Sequence, residues 1–198
     1  MGCSVRMFGI AVLSLLAAGS AHAAVTVMGE GAAAVCSAAA LAGDASDEHL
    51  AACNQAVLEA SPEYKAGTHV NRGVLLLRRR EFDAARADFE TAEALKPGFG
   101  EAVVNRGGSF VAQRRYIEGL IEIDRGLAMG PEEPEKAYYN RAIANEGLDD
   151  KAAAYLDYLK ALELAPEWEA PREQMLRLSK VIHPGFVQPP PQSTGARP

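Results

Sequence analysis

The sequence predicts an all-α protein, an α-solenoid of antiparallel helix hairpins stacked side by side. Three observations predict it. The tripeptide Asn71-Arg72-Gly73 returns as Asn105-Arg106-Gly107 and Asn140-Arg141-Ala142, at steps of 34 and 35 residues. Behind each copy stand two small residues, one large apolar residue and a proline at fixed distances. These are Ala85, Phe89, Ala92 and Pro97, then Gly119, Ile123, Gly126 and Pro131, then Ala154, Tyr158, Ala161 and Pro166. Ahead of the mid-repeat break, Val70, Val74 and Leu77 recur at helical spacing. A period of this length marks a stacked-repeat protein. The interval from Gly or Ala to Pro is 24 residues in every copy, so the extra residue lies between Pro131 and Asn140, in a connection between units.

The composition fits a soluble globular chain, with 198 residues, 48% hydrophobic and 23% charged. The net charge is −6, and Arg6 is the only charged residue among the first 23, so the remainder is more acidic still. An acidic surface repels phosphate backbones, which argues against nucleic acid as a partner.

Residues 1–23 carry the three-part pattern of a secretory signal peptide. Arg6 supplies the positive start, Met7 to Ala18 the apolar run, and Ala21-His22-Ala23 the small residues before a cut after Ala23. The competing reading is a membrane anchor, but the run falls short of the roughly 20 residues that span a hydrocarbon core. Cys3 precedes the apolar run and is badly placed for a lipoprotein cysteine. Arg6 stands where a myristoylation start wants Ser or Thr. The expected location is periplasmic or secreted, without stable membrane insertion after cleavage.

Residues 24–65 read as an opening helical hairpin. Ala32 to Ala42 is rich in the best helix former. Gly43-Asp44-Ala45-Ser46 stops it, and Ser46 or Asp47 caps a second helix that runs to about Ala60 before Ser61-Pro62. Cys36 and Cys53 lie equidistant from the turn, which places them opposite each other in an antiparallel pair. In an oxidising compartment they form a disulfide, worth about 3 kcal/mol on the chain-entropy model. The alternative is two small apolar side chains in a helix interface.

Residues 66–167 hold the three repeats. Arg78-Arg79-Arg80 ends the first helix of the first copy, where cations complement the helix dipole; a solvated helix end explains the run better than a polyanion site. Pro97, Pro131 and Pro166 end the second helices, since proline lacks the N–H a helix interior needs. Arg72 and Asp88, Arg106 and Glu122, and Arg141 and Asp157 are each 16 apart on facing helices. They read as ion pairs within each hairpin rather than ligand contacts, at about 0–1 kcal/mol each.

Gly73-x₂-Leu76, Ala85-x₃-Phe89 and Pro97, with their counterparts in the other copies, resemble the tetratricopeptide repeat (TPR) family. The resemblance covers 66–167 closely and the flanking segments loosely. His69, Val103 and Tyr138 stand where the family has Trp, and Gly119 and Gly126 replace alanines. At about 1 kcal/mol each, these glycines predict that the second helix of the middle unit is the least stable. The resemblance implies three units (66–99, 100–134 and 135–168, approximately), a degenerate N-terminal hairpin and a C-terminal capping helix over 168–183. It also implies a concave surface, lined by the first helices, that binds a peptide or partner protein. Val70, Val74, Leu77, Val104, Gly108, Val111, Tyr139, Ile143 and Glu146 are expected to face it. Asn71, Asn105 and Asn140 either hydrogen-bond a peptide backbone or serve the hairpin structurally. The family's carboxylate-clamp positions are apolar or Gly here, so that activity is not carried over.

Beyond the repeats, Trp168 stands where Phe99 stands in the first copy, and Pro171 suits the first position of the capping helix. Residues 184–198, with Pro189-Pro190-Pro191, read as a disordered or polyproline-like tail. No catalytic or metal motif appears, and the histidines are scattered. The expected protein is a non-enzymatic scaffold or adaptor without metal or cofactor, binding through a mainly apolar groove outside the cytoplasm. The alternatives are a structural subunit or a chaperone-like factor of a cell-envelope assembly.

Overall fold

The protein is described by a computed structural model, which covers residues 22–25 and 31–182. The greater part of the expected signal peptide and the proline-rich tail lie outside the described residues. Among the described residues there are nine helices and no strand. The opening hairpin pairs α1 (Ala32–Ala42) with α2 (Asp47–Glu59), and three further hairpins follow. They are α3 (Pro62–Arg78) with α4 (Phe82–Leu95), α5 (Gly100–Ala112) with α6 (Tyr116–Ala128), and α7 (Pro134–Gly147) with α8 (Lys151–Leu164). Helix α9 (Glu169–Ile182) packs on α8 and closes the stack.

Local chemistry sets the helix ends. Ser46 caps α2, its side chain accepting the His49 N–H, and Asp150 caps α8 through the Ala153 N–H at 3.0 Å. At the mid-hairpin turns Arg80, Arg114 and Asp149 take left-handed backbone angles (φ 64°, 62° and 64°). The next N–H then folds back onto the helix just ended, Glu81 to Leu76, Arg115 to Phe110 and Asp150 to Asn145. Helix α9 begins at Glu169, so Pro171 is its third residue rather than its first. It is tolerated there because the first-turn N–H groups have no partner inside the helix.

Cys36 and Cys53 form a disulfide, with Cα atoms 4.7 Å apart. It ties α1 to α2, and both helices pack on α3.

Each repeat arginine bonds its own hairpin and the one before. Arg72 grips Asp88 at 2.7 and 2.6 Å and donates to Asn54 on α2 at 3.2 Å. Arg106 bonds Glu122 at 2.7 Å and Glu93 on α4 at 3.1 Å. Arg141 bonds Asp157 at 3.0 and 2.7 Å and Asp124 on α6 at 2.7 Å. The pairs are thus struts between units as well as within them. Burial would raise the Asp88 carboxyl, but hydrogen bonds from Arg72 and His69 outweigh it and hold the group below its ordinary value.

The middle hairpin adds a packing role to the glycines that lower helix propensity in α6. Its glycines are contact points. A Cβ on Gly119 would lie 2.6 Å from Val111 Cγ2 and 3.2 Å from the Gly107 carbonyl. One on Gly126 would lie 2.6 Å from Val104 Cγ2 and 3.1 Å from the Gly100 carbonyl. Helices α5 and α6 touch nearly backbone to backbone, so the propensity lost in α6 is offset by contact that a side chain would forbid.

Candidate peptide-binding groove

Asn71, Asn105 and Asn140 each precede the arginine that reaches toward the second helix. One residue along a helix turns the side chain by about 100°, so the asparagines face elsewhere. All three are 0% exposed. A buried carboxamide needs hydrogen-bond partners, and for Asn71 and Asn105 the partner is the chain's own N-terminal stretch. Asn71 accepts the Val25 N–H at 2.7 Å and donates to the Val25 carbonyl at 2.6 Å. Asn105 does the same with Ala23, at 3.1 and 2.7 Å. The Ser37 hydroxyl on α1 adds a bond to the Val25 carbonyl at 3.0 Å.

The stretch therefore crosses from α5 to α3, N- to C-terminally, against the order of the repeats. Packed helix axes lie about 8–10 Å apart. Two residue steps cover at most about 6.6–7.2 Å even when drawn out, and the asparagine side chains reach across the remainder, so the segment is extended. Ala23 and Ala24 are buried, and Ala24 joins the apolar cluster that includes Val74, Phe99 and Ala102. Beside Val25 opens a hollow of about 440 Å³, lined by Tyr64, Gly67, Lys96, Phe99, Glu101 and Glu132 among others.

The remaining expected groove residues are mostly elsewhere. Val70, Val74 and Leu77 are core, sharing a cluster with Cys36, Ala39 and Ala40 because α1 lies alongside α3. Val104 and Val111 point at Gly126 and Gly119, inside the middle hairpin. Gly108 leaves room for Asn140, whose Nδ2 would sit 3.3 Å from an added Cβ. Glu146 accepts the Tyr158 hydroxyl at 2.7 Å and pairs with Arg177. Ile143 is half-buried between two clusters.

Tyr139 does not face the open side. It is 2% exposed, with its ring centroid 5.5 Å from that of Tyr158 and 4.8 Å from that of Trp168. Burial raises its hydroxyl above the ordinary value, and burial together with the Glu146 bond raises that of Tyr158 further. Asn71 and Asn105 thus meet a peptide backbone, while the apolar residues around them pack between helices. Ala23 and Val25 as occupants went unseen in the sequence. Their one signal is the run of small residues, which the cleavage pattern already explained.

The architecture is that of a tetratricopeptide solenoid. Residues 135–167 match the sequence profile of the tetratricopeptide repeat. No curated protein matches the chain. Among solved structures the fold resembles the TPR domain of Arabidopsis OM64, at 19% identity and TM-score 0.56, covering 61% of this chain and 99% of that one. It also resembles the first TPR of Spaghetti (RPAP3) bound to the HSP90 peptide SRMEEVD, at 18% identity and TM-score 0.55, covering 63% and 98%. MamA (41-end) from Desulfovibrio magneticus RS-1 aligns at 19% identity and TM-score 0.56, covering 79% and 88%. Among the described residues no helix is long and apolar enough to cross a membrane.

Proposed function

We propose that this protein is an exported scaffold or adaptor that binds an extended peptide segment of a partner through the first-helix groove. The observation that carries the reading is the double hydrogen bonding of a peptide backbone by Asn71 and Asn105. Solved relatives of the fold support it, since two RPAP3 TPR structures hold HSP90 and HSP70 peptides. Those peptides end in an acidic motif, whereas this groove presents carboxamides and small apolar surfaces. Export is supported by the leader pattern and by the disulfide, which belongs in an oxidising compartment.

Selection from a displayed peptide library tests the binding. Selected peptides should lose affinity when Asn71 or Asn105 is changed to Ala, with helical content retained. A library that yields nothing, or peptides indifferent to both changes, would remove the reading. N-terminal sequencing of protein from its own compartment tests export, with Ala24 the expected first residue and an intact Met1 the refuting one. A second reading, a structural subunit engaging through the outer helices, draws on exposed Ile117, Ile121 and Leu156 on α6 and α8.

A further inference from the structure

The groove is already occupied, and its occupant defines what it accepts. Asn71 and Asn105 each bind both polar backbone groups of one residue, so these contacts select an extended chain and ignore its side chains. Side-chain selection comes from the walls. Ala23 is 1% exposed and closed in by its neighbours, whereas Ala24, 9% exposed, borders the hollow beside Val25. Direction is fixed too, because the Ser37 hydroxyl and the Val74–Phe99–Ala102 cluster receive Val25 and Ala24 at the first-unit end.

Only residues 26–30 separate this stretch from Gly31 and α1. So short a tether gives the segment an effective concentration on the order of millimolar at its own site. An external peptide competes against that. Resting on the peptide-binding reading above, we propose that the groove takes extended peptides with a small side chain at the central position that Ala23 fills, running against the repeat order. His22–Val25 is the resident stand-in that such a ligand displaces. A cut between Ala23 and Ala24 removes the Asn105 contact and leaves Val25 on Asn71. Processing therefore opens the middle unit while the first unit stays filled.

The test uses the full chain with its leader retained, and a fluorescent nonapeptide copied from residues 19–27. The parent should bind this probe at least about tenfold more weakly than an Ala23→Arg chain, whose own segment no longer fits. Ala23→Ser should behave as the parent. The Ala23→Arg chain should reject a probe bearing the same Arg, and should lose the native probe when Asn105→Ala is added. Equal binding by parent and Ala23→Arg, or acceptance of both probes, overturns the proposal. If the Ala23→Arg chain refuses the probe yet binds library-selected peptides, the stand-in is wrong and the peptide-binding reading survives. If it binds neither, both fall.

Circular dichroism checks the fold of each variant. Hydrogen exchange on the unaltered chain gives an independent reading. The Ala23 and Val25 amides should be protected, and protection at each should be lost in Asn105→Ala and Asn71→Ala respectively. Unprotected amides in the parent overturn the proposal without any variant at position 23. A concentration-dependent dimer that dissociates on Ala23→Arg would place the segment in a second copy and overturn the assignment within one chain.

Discussion

The middle and last hairpins share one repeat pattern and solve it in opposite ways. In α5–α6 the backbones meet at Gly107 and Gly119 and again at Gly100 and Gly126, and valine methyls fill what remains. In α7–α8 the corresponding sites are Ala142, Ala154 and Ala161, and the space is taken by Tyr158, 1% exposed. Tyr158 in turn meets Tyr139, which packs at a tilt against Trp168 at the end of the stack. One hairpin relies on close main-chain contact and gives up helix propensity. The other keeps propensity and relies on aromatic filling. Small residues at equivalent positions therefore carry different consequences when changed.

The largest effect should come from emptying the aromatic side. Tyr158→Ala should cost about 3–5 kcal/mol in urea unfolding, the range for buried aromatics. Tyr139→Asp should cost more than about 2 kcal/mol, since it sets a charge among packed rings. A Tyr139→Asp chain that melts like the parent would contradict the packing described for the last hairpin.

Gly119→Ala tests the other side directly. Propensity favours alanine by about 1 kcal/mol, but the clash with Val111 and the Gly107 carbonyl should make the net change destabilising by about 1–3 kcal/mol. The reverse change at the equivalent site, Ala154→Gly, should also destabilise, by about 1 kcal/mol. A gain at Gly119→Ala would erase the contrast between the hairpins.

A smaller effect is expected at Asp88, in the hairpin of α3 and α4. The Asp88 carboxyl titrates below its ordinary value in the folded chain. Its contribution is fully present above about pH 4, the unfolded value, and is lost as pH falls through the folded one. Between pH 5 and pH 3 the parent should lose more stability than Asp88→Asn, as followed by urea midpoints. The smallest effects concern the turns. Arg114→Gly should stabilise by about 0.5–1 kcal/mol by relieving a left-handed residue, and Asp149→Gly by less, because aspartate tolerates that conformation better.

Sequence reasoning reached the helix order, the ends at Pro97, Pro131 and Pro166, and the 16-residue ion pairs, because each rests on contacts within a single unit. It failed at Val70, Val74, Leu77 and Tyr139. Helical spacing fixes the angle of a side chain around its own helix, but not which neighbour covers that side. Helix α1 covers the first three, and the rings of Tyr158 and Trp168 take the fourth. The struts from Arg106 to Glu93 and from Arg141 to Asp124 went unread for a related reason. Their spacings of 13 and 17 residues differ, so no period exposes them. The asparagines were legible as polar residues in an apolar stripe, whereas their occupant was concealed by a second pattern in the same residues.

Pairing one carboxamide with both polar groups of a single residue leaves an imprint of parity. Successive residues of an extended chain turn these groups to opposite sides, so alternate positions meet asparagine and the positions between do not. Proline has no N–H to give. A randomised peptide pool passed over the open groove should return depleted of proline at every second position, in phase with the repeats and independent of side-chain preference.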